Sequence, residues 1–283
     1  MDFKFRLACV QVNAGSEIDS NLEATSILVK SAIREGAQLV SLPECVSLIE
    51  PDRDVLQQKC EVENSNRALA FFRHLATDYG IWLHVGSIAV LNDTGEISNR
   101  TFLIGPDGKI EARYDKIHMF DVDLGGSEVY RESDTYKPGT AATIADIPWG
   151  QLGLTICYDL RFPSLYNLLA QSGAHMIAVP SAFTQSTGRA HWHVLLRARA
   201  IETGCWIFAA AQCGSHGKGR KTYGHSLIVN PWGEIVSEAG DEPGFIAADI
   251  DMSEVDKVRQ SIPALHNSRD ITTNPVIAGG PPR

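Results

Sequence analysis

Short apolar runs alternate with amphipathic stretches along most of the 283 residues, and this alternation restricts the fold more than any single residue does. Helical periodicity throughout would give a bundle, and strand periodicity throughout a β-sandwich. The mixture predicts an α/β architecture. FRLACVQVN reads as a strand, and residues 20–35, SNLEATSILVKSAIRE, as an amphipathic helix with Ser20 or Asn21 as its cap and Gly36 as its stop. AQLVSLPE is a second strand, ending at Pro43 and Glu44. A helix over 64–79 comes next, then WLHVGSIAVL and the two strands of NRTFLIGPDGKIEARYDK, joined by a Pro-Asp-Gly-Lys turn. Residues 117–140 read as a long polar loop, of a length that marks functional or disordered segments. The strand leading to Cys157 follows, then a helix from about Pro163 to Ser172 and the strand AHMIAVPSAF. A helix near 190–203, the strand CWIFAAAQC, the hairpin GHSLIVNPWGEIVSEAG and the strand GFIAADID complete the pattern. No repeat, low-complexity tract or Pro/Ser-rich linker interrupts it, so residues 1–263 are expected to form one domain, with 264–283 as a C-terminal tail.

Composition excludes several function classes. A formal net charge of -9 weighs against a general nucleic-acid binder, which needs a basic face to displace counterions from phosphates. No apolar run reaches the roughly 18 residues of a membrane span, and residues 1–12 lack the features of a signal peptide. The six cysteines are dispersed without a CxxC pair, which signals neither a disulfide framework nor a zinc knuckle. A reducing, cytoplasmic setting is the expectation.

Three strand ends carry chemistry: Glu44, Lys116 and Cys157. In open α/β sheets ligands sit beyond the carboxyl ends of strands, where side chains from different strands converge. A thiol is nucleophilic as thiolate, so it needs a base or a nearby positive charge. Glu44 suits the first task and Lys116 the second. When sulfur attacks an amide carbonyl, the ammonium and the backbone N–H of Tyr158 are suited to the oxyanion; Glu44 then protonates the leaving amine and activates the water that hydrolyses the thioester. Each residue also has an ordinary reading. Buried cysteines pack as small hydrophobes, and glutamates and lysines face water. Residue types alone leave a papain-like Cys-His arrangement open, because nine histidines are present, His118 and His225 among them.

LPE with Glu44, YDKIHMFD with Lys116 and CYDLRFP with Cys157, in this order, resemble the glutamate, lysine and cysteine boxes of the nitrilase superfamily, the carbon-nitrogen hydrolases. The likeness runs from about residue 4 to 270. It implies a four-layer αββα sandwich, a homodimer or higher homo-oligomer paired through helices near the active site, and a covalent thioester mechanism without cofactor or metal. It places the family's second glutamate at Glu132. The later segments PSAFTQSTGRAHWHVLLRARAIETGCWIFAAAQCG and YGHSLIVNPWGEI are similar to the branch of deaminated glutathione amidases and omega-amidases. That likeness implies an α-keto acid ω-amide as substrate, Arg161 for its carboxylate, and Phe183 and Thr187 as pocket lining. One departure stands out: the family's HWE reads HWH here, with His193 where an acid is usual. Loss of that acid either alters the charge near the pocket or, if His193 packs or faces solvent, has no such effect.

Other signals point elsewhere. GSHGKGRKT, residues 214–222, approaches a phosphate-loop pattern, but Arg220 interrupts it and a strand follows instead of a helix; it reads as a basic loop between strands. His191 and His193 lack a zinc-binding context. The expected activity is therefore hydrolysis of a small linear amide to carboxylate and ammonia, with deaminated glutathione the leading substrate. An N-carbamoyl amino acid or a nitrile is the rival within the class, and a non-catalytic interaction protein of the same fold the rival outside it.

Overall fold

The strand Lys4–Gln11 shows how the alternation in the sequence becomes layers, because successive side chains of a strand point to opposite faces. Phe5, Leu7 and Cys9 join an apolar cluster shared with a second sheet, whereas Ala8 and Val10 join another shared with the helices Ile18–Arg34 and Arg67–Tyr79. The computed structural model describes residues 3–125, 129–217 and 219–272.

The first sheet runs in the order Gly244–Asp251, Lys4–Gln11, Leu39–Ser41, Trp82–Leu91, Ile97–Ile104, Ile110–Asp115, with the short strand Glu61–Val62 paired to Trp82–Leu91. The second runs Ile235–Glu238, Leu227–Val229, Trp206–Ala209, Met176–Ala178, Gly150–Leu154, Thr143–Ile147. Each has a parallel centre and antiparallel flanks. The helices Pro163–Gln171 and Gln185–Thr203 cover the outer face of the second sheet with Leu165, Tyr166 and Leu169 and with Trp192, Leu196 and Ala200. The result is the four-layer αββα sandwich, helices outside and the two sheets face to face.

Local departures from the sequence reading have identifiable causes. The first helix begins at Ile18, earlier than expected, and neither Ser20 nor Asn21 caps it. Asn21 is instead buried in the first turn, where its side chain bonds Gly15 N–H at 2.8 Å and the carbonyls of Gly15 and Ser47 at 2.9 Å each. The helices Arg53–Lys59 and Ser253–Ser261 were not expected. Each buries only one side chain, Leu56 or Val255, so neither shows an apolar stripe. The polar stretch 117–140 contains the paired strands Asp121–Asp123 and Val129–Arg131 and a 3₁₀ turn, Glu132–Asp134. In the expected tail, Leu265 packs against the inter-sheet cluster, and residues 273–283 lie outside the described residues.

Candidate active site

Glu44 follows the strand Leu39–Ser41 by three residues, on a turn pressed against the neighbouring strand. Leu42 N–H donates to His84 O at 2.9 Å, Ser87 N–H to Pro43 O at 3.3 Å and Cys45 N–H to Ser87 Oγ at 2.9 Å. Gly86 permits this approach: a Cβ there would lie 1.9 Å from the Leu42 carbonyl oxygen. Lys116 directly follows Ile110–Asp115; its N–H donates to Asn99 O at 3.0 Å and its carbonyl accepts from Gly139 N–H at 2.8 Å. Gly139 likewise has backbone against it, with Asp115 O 2.3 Å from a built Cβ.

Cys157 lies beyond the end of Gly150–Leu154 and opens the 3₁₀ turn Cys157–Arg161 with φ at 46°. A non-glycine residue in that region carries a strain of order 1–2 kcal/mol, so its surroundings must hold it there. Its N–H donates to Pro180 O at 2.9 Å. Asp159, fully buried, accepts from Ile156 N–H at 2.8 Å, Tyr114 Oη at 2.7 Å and His118 N–H at 3.1 Å, and lies 2.7 Å from His118 Nδ1. The carboxylate thus ties the turn carrying the thiol to the segment carrying Lys116.

The three box residues meet. Lys116 Nζ lies 2.9 Å from Glu44 Oε1 and 2.8 Å from each oxygen of Glu132. Asn99 Nδ2 donates to Glu44 Oε1 at 2.9 Å, and Ala182 N–H to Glu44 Oε2 at 2.8 Å. The Cys157 thiol faces the same cavity close to the Glu44 carboxylate, whose charge acts on it. Glu44 and Lys116 are 3% and 2% exposed, which rules out the reading of either as a solvated surface charge.

Burial alone would push the Glu44 carboxyl up, but the charge and hydrogen bond of Lys116 outweigh it and hold the group below the usual carboxylate range. Burial likewise disfavours the Lys116 ammonium, yet the facing Glu132 and Glu44 raise it well above its ordinary value. For Cys157 burial and the charge of Glu44 act together against Lys116, and the thiol is raised well above its ordinary value. The resting site therefore holds a carboxylate, an ammonium and a neutral thiol beside its base. Such a set can transfer the thiol proton to carboxylate as sulfur attacks a carbonyl carbon.

A cavity of about 490 Å³ opens over these groups. Glu44, Lys116, Glu132, Cys157, Tyr158, Phe183 and Thr187 all line it. Thr187 Oγ1 is 2.7 Å from Thr184 Oγ1. Arg161 stands behind two of these lining residues and is not itself among those that line the cavity. Its guanidinium lies over the Phe183 ring at 5.1 Å and the Tyr158 ring at 5.9 Å, with one nitrogen 3.2 Å from His191 Nδ1. His193 is also outside the lining, 2.8 Å from Glu238 and edge-on to Tyr223 and His225, so the HWH departure does not strip a charge from the cavity.

Three residues that sequence reasoning did not single out belong to the site or its frame: Asn99, Asp159 and Arg220. A polar Asn99 inside an apolar strand and an acid two residues after the cysteine were the available signals. Arg220 was visible as a basic loop residue with no indication of where it points. Among the described residues no group of three or more His, Cys, Asp or Glu side chains is placed to hold a metal ion, and no helix is long and apolar enough to cross a membrane.

Residues 6–260 match the carbon-nitrogen hydrolase family. The deaminated glutathione amidase of Yersinia enterocolitica is 40% identical over 270 residues, which cover 94% of both chains. Omega-amidase NIT2-B of Xenopus laevis is 35% identical over 267 residues, covering 94% of this chain and 96% of its own. The crystal structure of the Caenorhabditis elegans NitFhit protein superposes with a TM-score of 0.87 at 35% identity, over 94% of this chain and 65% of that one. With the three boxes converging in one cavity and the family match spanning nearly the whole sandwich, the chain belongs to the carbon-nitrogen hydrolase family and is an amidase-type hydrolase.

Proposed function

We propose that the chain hydrolyses a small linear amide through a thioester on Cys157, and that the amide is deaminated glutathione or a related α-keto acid ω-amide. One observation carries the chemistry: a buried carboxylate and ammonium 2.9 Å apart share one cavity with a thiol that feels the charge of both. The names and identity levels of the relatives support the substrate class.

In this reading the Cys157 thiol gives its proton to Glu44 as sulfur attacks the amide carbon. The charge that develops on the carbonyl oxygen is met by Lys116 and by the N–H of Tyr158. Glu132 and Asn99 support this step by fixing the ammonium and the carboxylate. The proton on Glu44 then passes to the leaving nitrogen as the C–N bond breaks, and the acyl group remains on sulfur. Glu44 next takes a proton from water, whose oxygen attacks the thioester carbon; the C–S bond breaks and the proton returns to sulfur. From a primary ω-amide the leaving group is ammonia. From deaminated glutathione it is cysteinylglycine, which refines the ammonia release expected for simple amides.

A cytoplasmic setting is supported by six unpaired cysteines. A homodimer or higher homo-oligomer is supported by Leu168, Val194 and Ile201, exposed apolar side chains on the outer helices Pro163–Gln171 and Gln185–Thr203.

Intact-mass spectrometry during turnover of deaminated glutathione tests the mechanism. The expected result is a transient 2-oxoglutaryl adduct on Cys157, with no adduct and at least a ~10⁴-fold lower rate in Cys157→Ala. Equal product release by Cys157→Ala would refute the covalent route, and no product from the wild type would refute the substrate.

A further inference from the structure

Gly219 and Arg220 of the segment GSHGKGRKT line the cavity. The paired strands Cys213–Ser215 and Lys221–Tyr223 flank these residues. They are anchored by Cys213 N–H to Val12 O and Tyr223 N–H to Phe183 O, each at 2.9 Å. Between them His216 N–H donates to Arg220 O and Arg220 N–H to Gly217 O, both at 3.0 Å. His216 is buried, with Nδ1 2.8 Å from Ala14 O and Nε2 2.6 Å from Thr222 Oγ1. The backbone of Arg220 is therefore fixed, and its side chain lines the same cavity as Cys157.

The guanidinium is poised for a ligand. Its Nε is buried and has no hydrogen-bond partner. A buried donor left in that state costs about 1–3 kcal/mol, which an incoming acceptor recovers. The neighbouring cations are engaged: Lys116 by two carboxylates, Arg131 by the carbonyls of Val122 and Tyr130, and Arg161 by His191 and the Phe183 ring. Arg53, which also lines the cavity, is exposed to solvent. Burial acts against the charge on Arg220, but the Glu44 carboxylate near it favours that charge, with the neutral Cys45 and Cys157 thiols alongside. Those groups also locate the guanidinium close to the reacting centre.

We propose that Arg220 is the specificity-determining residue of the site: its guanidinium takes the carboxylate of the α-keto acid end of the substrate, which sets the distal amide carbonyl against Cys157. This rests on the substrate class proposed above, whose carboxylate and scissile amide lie at opposite ends of a short chain. It gives to Arg220 the role that the sequence resemblance assigned to Arg161. A planar guanidinium matches a carboxylate in two parallel hydrogen bonds, whereas lysine offers a point charge.

The test uses the full-length protein and needs no turnover. Cys157 is alkylated with iodoacetamide, a neutral probe, in the presence of increasing 2-oxoglutarate, and the concentration giving half-protection is compared among wild type, Arg220→Met, Arg220→Lys and Arg161→Met. Arg220→Met is expected to raise the half-protection concentration about 100-fold and Arg220→Lys about 10-fold, with Arg161→Met within threefold of wild type. Half-protection is read relative to each variant's own unprotected rate, so a change in thiol reactivity does not mimic the effect. Arg220→Lys keeps the charge and covers the case in which Arg220→Met fails to fold. Unchanged protection in Arg220→Met, loss of protection in Arg161→Met instead, or no protection of the wild type would overturn the proposal. A wrong substrate class shows up separately, as the wild type failing to hydrolyse α-keto acid ω-amides while 2-oxoglutarate still protects through Arg220.

Discussion

The two halves of the site are held in place by different means. The first sheet and the stretch after it supply Glu44, Lys116 and Glu132, positioned by hydrogen bonds between oppositely charged side chains, all between 2.8 and 2.9 Å. The second sheet supplies Cys157, positioned by its backbone: a φ of 46°, a bond from its N–H to Pro180, and the Asp159 brace two residues on. Charges survive burial when they neutralise one another, so the first half stabilises itself through its own functional groups. A neutral thiol makes no such demand and contributes little to its own placement. The nucleophile is therefore set by the turn that carries it, and the charged groups by each other.

The strongest challenge to this contrast is Lys116→Met. It leaves the buried Glu44 and half-buried Glu132 carboxylates without their shared cation, and a loss of about 3–5 kcal/mol of stability is expected in urea denaturation, with at least ~10³-fold lower kcat. A loss below about 1 kcal/mol would mean that the charged half is held by the fold and not by its charges.

Asp159→Asn probes the other half. The amide retains one acceptor oxygen where the carboxylate has two, in a fully buried position facing Tyr114, Ile156 and His118. About 2 kcal/mol of stability and a ~10-fold fall in kcat at nearly constant KM are expected. Unchanged kcat would show that Pro180 and the positive φ suffice to aim the thiol.

The smallest effect is on pH. Because Lys116 holds Glu44 below the ordinary carboxyl value of 4.5, its ionised form persists as pH falls toward that value. kcat/KM, which reports the free enzyme, should lose less than about twofold between pH 7 and pH 5. An acid limb centred near pH 6 would show that the pairing is broken in the working protein.

Much of this was legible in the sequence. Strand and helix periods marked the layers, and three short motifs marked Glu44, Lys116 and Cys157 at three separate strand ends. What escaped were elements with little local signature. The helices Arg53–Lys59 and Ser253–Ser261 each bury one side chain and show no stripe. Asn21 carries a capping residue's chemistry but uses it to tie Gly15 to Ser47. Arg161 sits four residues after the cysteine, yet its guanidinium rests on the Phe183 ring outside the cavity lining.

By itself the sequence determined the alternation of layers and the chemical types brought to the strand ends, because side-chain direction repeats every two residues in a strand and about every 3.6 in a helix. Only the tertiary structure decided that Asp159 braces Tyr114 and His118, that Asn99 holds Glu44, and that Arg220 instead of Arg161 lines the cavity. Those facts depend on distances through space between segments separated by tens of residues, and a hydrogen bond acts over about 3 Å irrespective of chain separation.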